Sequence, residues 1–133
     1  MNKSLKNIEK IEYFCRIDSI GMVPDWAKEL NCAVTVCDTE GVILYMNDKA
    51  KETFASHGDL VGQNLMGCHN ERSKEIIRQM LETGGCNAYT ISKGGRKKMI
   101  YQTAWKEDGK VAGLVEISMV IQEEMPHYDR DKK

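Results

Sequence analysis

Apolar and polar residues follow two different rhythms along this chain, and the change between them divides it. Over residues 5–17, Leu5, Ile8, Ile11 and Cys15 recur every three or four positions among Lys6, Glu9, Lys10 and Glu12, which predicts an amphipathic helix. Gly21 interrupts the pattern, and Pro24 then suits the first turn of a short helix carrying Trp26, Ala27 and Leu30, with Asn31 at its end. From Ala33 onward the rhythm becomes that of strands. Residues 33–38 are rich in β-branched side chains, Thr39-Glu40-Gly41 supplies a turn, and 42–46 is a second apolar run, which together predict a β-hairpin. In that turn Gly41 is expected at positive φ, and the Asp38 carboxylate is expected to accept from turn amides.

Asn47 is placed to cap a short helix reaching about Phe54, with Asp48 favourable in its positive first turn. Residues 57–67 hold three glycines and read as irregular. Asn70 is a cap for a stronger helix over 71–83, whose buried face is Ile76, Ile77, Met80 and Leu81 and whose stop is Gly84-Gly85. Three strands follow, 86–92, 97–106 and 111–121, joined by Gly94-Gly95 and Asp108-Gly109, both favoured hairpin turns. Consecutive hairpins imply an antiparallel arrangement. Within the second of these strands, alternation puts Met99, Tyr101, Thr103 and Trp105 on one face and Ile100, Gln102 and Ala104 on the other, without showing which meets the helices. The organisation expected is an N-terminal helical extension (1–31), one folded domain (32–121) and a charged tail carrying Pro126 (122–133).

Charge and cysteine usage narrow the classes of function. Nineteen basic residues against twenty acidic ones give a formal net charge of −1, so no long-range field draws the chain to nucleic acid or an anionic membrane. The basic cluster Arg96, Lys97, Lys98 beside Gly94-Gly95 reads as a solvated hairpin end. The basic N-terminus leads into no unbroken apolar run, and no segment is long and apolar enough to cross a bilayer. Five cysteines, an odd number without paired metal spacing, suit reduced thiols and a cytoplasmic setting. No nucleophile elbow, zinc-binding helix motif or phosphate loop occurs, so the expectation is a non-enzyme.

Three segments, taken in order, resemble one family. Asp38-Thr39-Glu40-Gly41-Val42-Ile43 followed by Asn47 is similar to the opening D-x-x-G-x-I…N hairpin of PAS domains. Leu60-Val61-Gly62-Gln63-Asn64-Leu65 resembles their L-I-G segment, and residues 108–116 resemble their turn into the last strand. The resemblance spans about 32–121. It implies an α+β fold, a five-stranded antiparallel sheet with helices on one face, and a pocket between the two layers. Members of the family use such a pocket for haem, flavin, small metabolites or nothing, and commonly dimerise through flanking helices. The expected function is therefore a sensory and signalling domain that binds a small molecule or cofactor and signals through a partner protein. The alternative is a ligand-free interaction or dimerisation domain. The amphipathic helix over 5–17 is expected either to form a homodimer contact or to fold back on the open face of its own sheet.

The candidate site begins at Met66-Gly67-Cys68-His69-Asn70. Imidazole and thiolate are both good transition-metal ligands, and haem-binding members of the family take their axial histidine from the long helix or its vicinity. The resemblance thus implies His69 as a haem-iron ligand, with Cys68, Met66, Ile77 and Met80 as further cofactor-binding candidates. The plain alternatives are a half-exposed His69 at a helix start, Cys68 as a small apolar residue, and methionines that simply fill core. A c-type haem attachment is excluded because Leu65 stands where C-x-x-C-H needs its first cysteine. Leu65 also replaces the adduct-forming cysteine of the light-sensing flavin subclass.

Overall fold

A computed structural model describes residues 25–132 together with Ile8, Glu9 and Ile11. Most of the predicted helix over 5–17, and the dimer contact assigned to it, therefore lie outside the described residues. The elements are β1 (Ala33–Asp38), β2 (Ile43–Met46), α1 (Asp48–Thr53), 3-10 turns at Ala55–His57 and Leu65–Cys68, α2 (Glu71–Thr83), β3 (Cys86–Lys93), β4 (Arg96–Glu107) and β5 (Lys110–Ile121). The five strands form one antiparallel sheet in the order β2-β1-β5-β4-β3.

The strand ends extend one residue further into the turns than the apolar pattern indicated, because both later loops are two-residue turns. Gly94, Gly95, Asp108 and Gly109 all have positive φ, the backbone twist that matches a two-residue loop to flanking strands, so Lys93 pairs with Arg96 and Glu107 with Lys110. In the first hairpin Gly41 sits at φ +85, as expected. The Asp38 carboxylate accepts from the amides of Glu40 (2.9 Å) and Val42 (3.0 Å), also as expected.

Both helix caps form. Asn47 accepts from the Ala50 N–H (3.0 Å) and Asn70 from that of Ser73 (2.8 Å). Asn47 does more than cap: its side chain is 1% exposed, also accepts from the Val34 N–H (2.9 Å), and donates to the carbonyls of Ala27 and Cys32, both at 2.8 Å.

That bonding explains why the predicted short helix around Trp26 is instead a turn over residues 26–29. Lys28 and Leu30 donate to Asp25 and Ala27, three residues back, while the Ala27 and Lys28 carbonyls are taken by the Asn47 amide and the Asp48 N–H. A continuing helix would need those carbonyls for its own ladder. The Lys28–Asp48 ion pair at 2.9 Å and the Tyr45 hydroxyl donating to Asp25 hold the turn against β2 and α1.

Residues 57–67 are not merely irregular. Gly62 donates to the Ile43 carbonyl (2.8 Å), Ile43 to Gln63 (2.8 Å) and Leu65 to Gly41 (2.7 Å), so this segment covers the free edge of β2. An uncovered edge would present unpaired amides to other chains.

Register settles which sheet face is buried. Thr35 pairs with Glu116 and Gln102 with Glu116, which places Ala33, Cys37, Leu114 and Ile100 on the same face as those polar residues. Ala33, Cys37, Ile43, Met46 and Leu114 meet Ala50, Leu60, Leu65, Ile77 and Met80 there to form the core.

Candidate functional site

Toward the β2–α1 side, the two layers part to leave a cavity of about 180 Å³. Its walls are mainly apolar: Ile43 and Met46 from β2, Phe54 after α1, Leu60 and Leu65 from the edge-covering segment, and Ile100 from β4. Strands β1 and β5 supply Thr35, Glu116 and Ser118 as polar groups, while Lys93 and Lys98 stand where β3 and β4 line it.

Glu116 alone of the next three side chains lines the cavity, and it anchors a polar ladder that runs beyond it. The Asn87 amide donates to the Gln102 side-chain carbonyl (3.1 Å), and the Gln102 amide donates to Glu116 Oε1 (2.9 Å), a ladder across β3, β4 and β5. A carboxylate can only accept, so it fixes the orientation of both amides. Its charge extends beyond the ladder: burial first, and then the Glu116 charge, hold the Tyr89 phenol above its usual pKa.

The residues singled out in the sequence fall in four different places. His69 lines the cavity, half-buried, at the end of the second 3-10 turn. Its Nδ1 lies 2.9 Å from the Leu65 carbonyl; a carbonyl only accepts, so Nδ1 is the donor in this contact. Ile77 and Met80, 1% and 4% exposed, belong to the core beneath α2 and do not line the cavity. Met66 packs half-buried against that core. Cys68 has its backbone in the 3-10 turn, and its side chain lies outside the described residues.

Of the groups weighed for this space, haem is the largest. A porphyrin exceeds a drug-sized ligand, and pockets for such ligands occupy roughly 300–1,000 Å³, against about 180 Å³ here. A cavity of roughly 150 Å³ takes one benzene-sized molecule. Among the described residues no group of three or more His, Cys, Asp or Glu is placed to hold a metal ion.

Thr35, Glu116 and Ser118 were not singled out in the sequence, and Lys98 was read there, with Arg96 and Lys97, as part of a solvated hairpin end; in the structure it is half-buried and lines the cavity. Polar residues alternating with apolar ones in a strand read as its solvent side. Here they share the helix-facing side with Ile100, because the floor of the cavity is partly polar. The one available signal was strand parity, which groups Lys98, Ile100 and Gln102.

Cys37, at 1% exposure, is the buried thiol of β1. Desolvation pushes it up to about 12, with a lowering hydrogen bond at the Leu114 backbone too weak to offset it and the charges of Asp38 and Glu116 adding to the rise. The folded state thus holds this proton more tightly than the unfolded chain. Its contribution to stability is complete below the unfolded thiol pKa and is lost as pH rises from there toward 12. Alkylation of the native protein at neutral pH should accordingly modify the exposed Cys86 while sparing Cys37 until denaturant is added. Peptide mapping that finds both labelled at equal rates would contradict this environment.

An antiparallel sheet with helices over one face and a cavity between the layers defines a two-layer α+β class of domains. Comparison with solved structures identifies the fold as that of PAS domains. The PAS domain of a protein from Colwellia psychrerythraea matches at a TM-score of 0.55 and 14% identity, over 86% of this chain and 98% of that one. The PAS domain of Bordetella pertussis BvgS matches at 0.54 and 17%, over 84% and 88%. Vibrio cholerae VqmA matches at 0.57 and 17%, over 72% of this chain and 50% of that one, so this chain spans about half the length of VqmA. A structure of VqmA bound to DPO matches at 0.57 over 87% of this chain. No protein-family model and no curated protein sequence matches the chain.

Proposed function

We propose that this chain is a sensory domain that binds one compact organic molecule in the cavity between sheet and helices and passes the occupancy of that cavity to a partner protein. The observation that carries the reading is the combination of apolar walls with converging polar groups, Thr35, Glu116, Ser118 and His69, in a space of about 180 Å³. Apolar enclosure supplies affinity and a few placed polar groups supply orientation. Similar folds in the sensor region of a histidine kinase and in VqmA bound to DPO support it. The odd set of five cysteines agrees with a reducing, cytoplasmic setting.

The test is a thermal-denaturation screen of the full chain against compact aromatic and heterocyclic compounds. A ligand that binds only the folded state raises the midpoint in proportion to the logarithm of its concentration over Kd. At least one compound should do so, and Ser118→Leu, which fills the cavity from its floor, should remove the shift while the unliganded midpoint stays close to that of the parent. Midpoints unmoved by every compound would overturn the reading.

The second reading is an interaction domain that works as a homodimer. It is favoured by the sheet face away from the helices, where Met99, Tyr101, Val115, Ile117 and Met119 form an apolar, partly exposed surface. Light scattering on the full chain and on a version beginning near Met22 decides it: a dimer that becomes a folded monomer on truncation supports a contact through residues 5–17, and a full-length monomer at high micromolar concentration rejects it.

A further inference from the structure

We infer that the cavity is built for a small organic anion, a carboxylate on an apolar or aromatic body, with the anionic group at the mouth beside Lys98 and Arg96. The inference rests on the reading of the cavity as a ligand site and adds the charge and orientation of its ligand.

The mouth opens into a groove of about 350 Å³ that shares Ala33, Thr53, Lys98 and Ser118 with the cavity and is further bordered by Lys49 and Arg96. Four cations line the two adjoining spaces, Lys93 and Lys98 the cavity and Lys49, Arg96 and Lys98 the groove, and among the described residues the only carboxylate lining either is Glu116. Among the described residues Lys93, Arg96 and Lys98 form no ion pair, and Lys49 reaches Glu52 only at 4.0 Å on the surface. Lys98 is the informative member. It is half-buried on the helix-facing side of β4, two residues from Ile100, and lines both the cavity and the groove. A cation drawn off water beside apolar walls is stabilised by an anion that arrives with the ligand.

Glu116 sets the orientation. It pairs across the sheet with Gln102, which lies four residues along β4 from Lys98, a backbone separation of roughly 13 Å. With one carboxylate oxygen already accepting from Gln102, Glu116 repels an anion from the inner end and leaves the other oxygen for a hydrogen-bond donor on the ligand body. A positively charged ligand would have to pass the four cations to reach that carboxylate, whereas the same field concentrates anions at the mouth.

The experiment is a protein-observed NMR titration of the full chain with three shape-matched probes, benzoate, benzamide and benzylamine, repeated at high salt. Benzoate should shift the amides of Ile100, Glu116 and Ser118 and bind at least about tenfold more tightly than benzamide, because its head group makes charge-assisted bonds. Lys98→Met should bring benzoate and benzamide to parity. Arg96→Gln, an exposed change that leaves the core untouched, should narrow the gap, and salt should narrow it further. Benzamide or benzylamine binding as tightly as benzoate would overturn the anion assignment while leaving the cavity a ligand site. A benzoate preference unchanged in both variants would overturn the assignment to Lys98 and Arg96. Failure of all three probes to shift any cavity amide would overturn the inference together with the ligand-site reading.

Discussion

Asn47→Ala is expected to destabilise the domain by roughly 3 kcal/mol or more, since several buried hydrogen bonds at about 1 kcal/mol each are lost and their partners are left without replacements. The side chain joins four backbone groups from three places: the Val34 N–H of β1, the Ala50 N–H inside α1, and the carbonyls of Ala27 and Cys32. All are met by one amide whose donors and acceptor are fully used, and the residue is 1% exposed, so water cannot easily take over. A total of roughly 5–15 kcal/mol is typical for a folded domain, so the urea midpoint should fall steeply. Asn47→Asp separates the two halves of the role. It keeps an acceptor for Val34 and Ala50 but turns a carboxylate oxygen toward two carbonyls, so it should be at least as damaging at neutral pH and partly relieved in acid, where protonation restores a donor. A midpoint near that of the parent in Asn47→Ala would show that this junction is not what joins the turn, β1 and α1.

Gly113→Ala should cost a similar amount for the opposite reason, the addition of one methyl group. A Cβ at this position would overlap the Cys37 carbonyl and come within 2.6 Å of the Trp105 Nε1. The indole N–H crosses Gly113 to donate to that same carbonyl at 3.0 Å, and Trp105 is the register partner of Gly113. Both obstacles are fixed, one being the backbone of the neighbouring strand, so relief requires β5 to move away from β1 or the indole bond to break. Overpacking of this kind costs typically about 1–3 kcal/mol and sometimes more, and loss of the indole bond adds to it. Intrinsic tryptophan fluorescence during urea unfolding would report both the lower midpoint and any displacement of Trp105. A wild-type curve would show that the strands are not held this closely.

The features readable in the sequence are those whose cause is local. Asn47 and Asn70 cap helices through bonds spanning three residues, Asp38 and Gly41 organise one turn, and the last three strands announce themselves by two-residue loops between β-rich runs. What escaped was decided by distant parts of the chain. The Trp26 segment has helical spacing, yet it is a turn because Asn47 and Asp48 take its carbonyls. Residues 60–65 carry no strand rhythm, yet they pair along β2. The site shows the same division. His69 was conspicuous by its chemistry, and it does line the cavity; Ile77 and Met80 were sound as core residues and stand apart from it. Glu116 carried no signal of its own and Lys98 only that of a solvated basic cluster, since a charged residue in a strand ordinarily faces solvent and only the paired register of β4 and β5 turns these two toward the helices.

The placement of β1 between β2 and β5 has a consequence for how the chain reaches this structure. The first hairpin can form early from neighbouring residues, and so can the β3-β4-β5 meander, but the two halves of the sheet join only through Ala33–Asp38 against Gly113–Ser118. Contacts so far apart in sequence are entropically costly to close and are characteristic of slower folding. During synthesis β1 therefore remains without its central neighbour until nearly all of the strands have emerged from the ribosome. Until then the helix-facing floor that β1 and β5 jointly build is open, and this late pairing is the step at which a nascent chain is most exposed to misassociation.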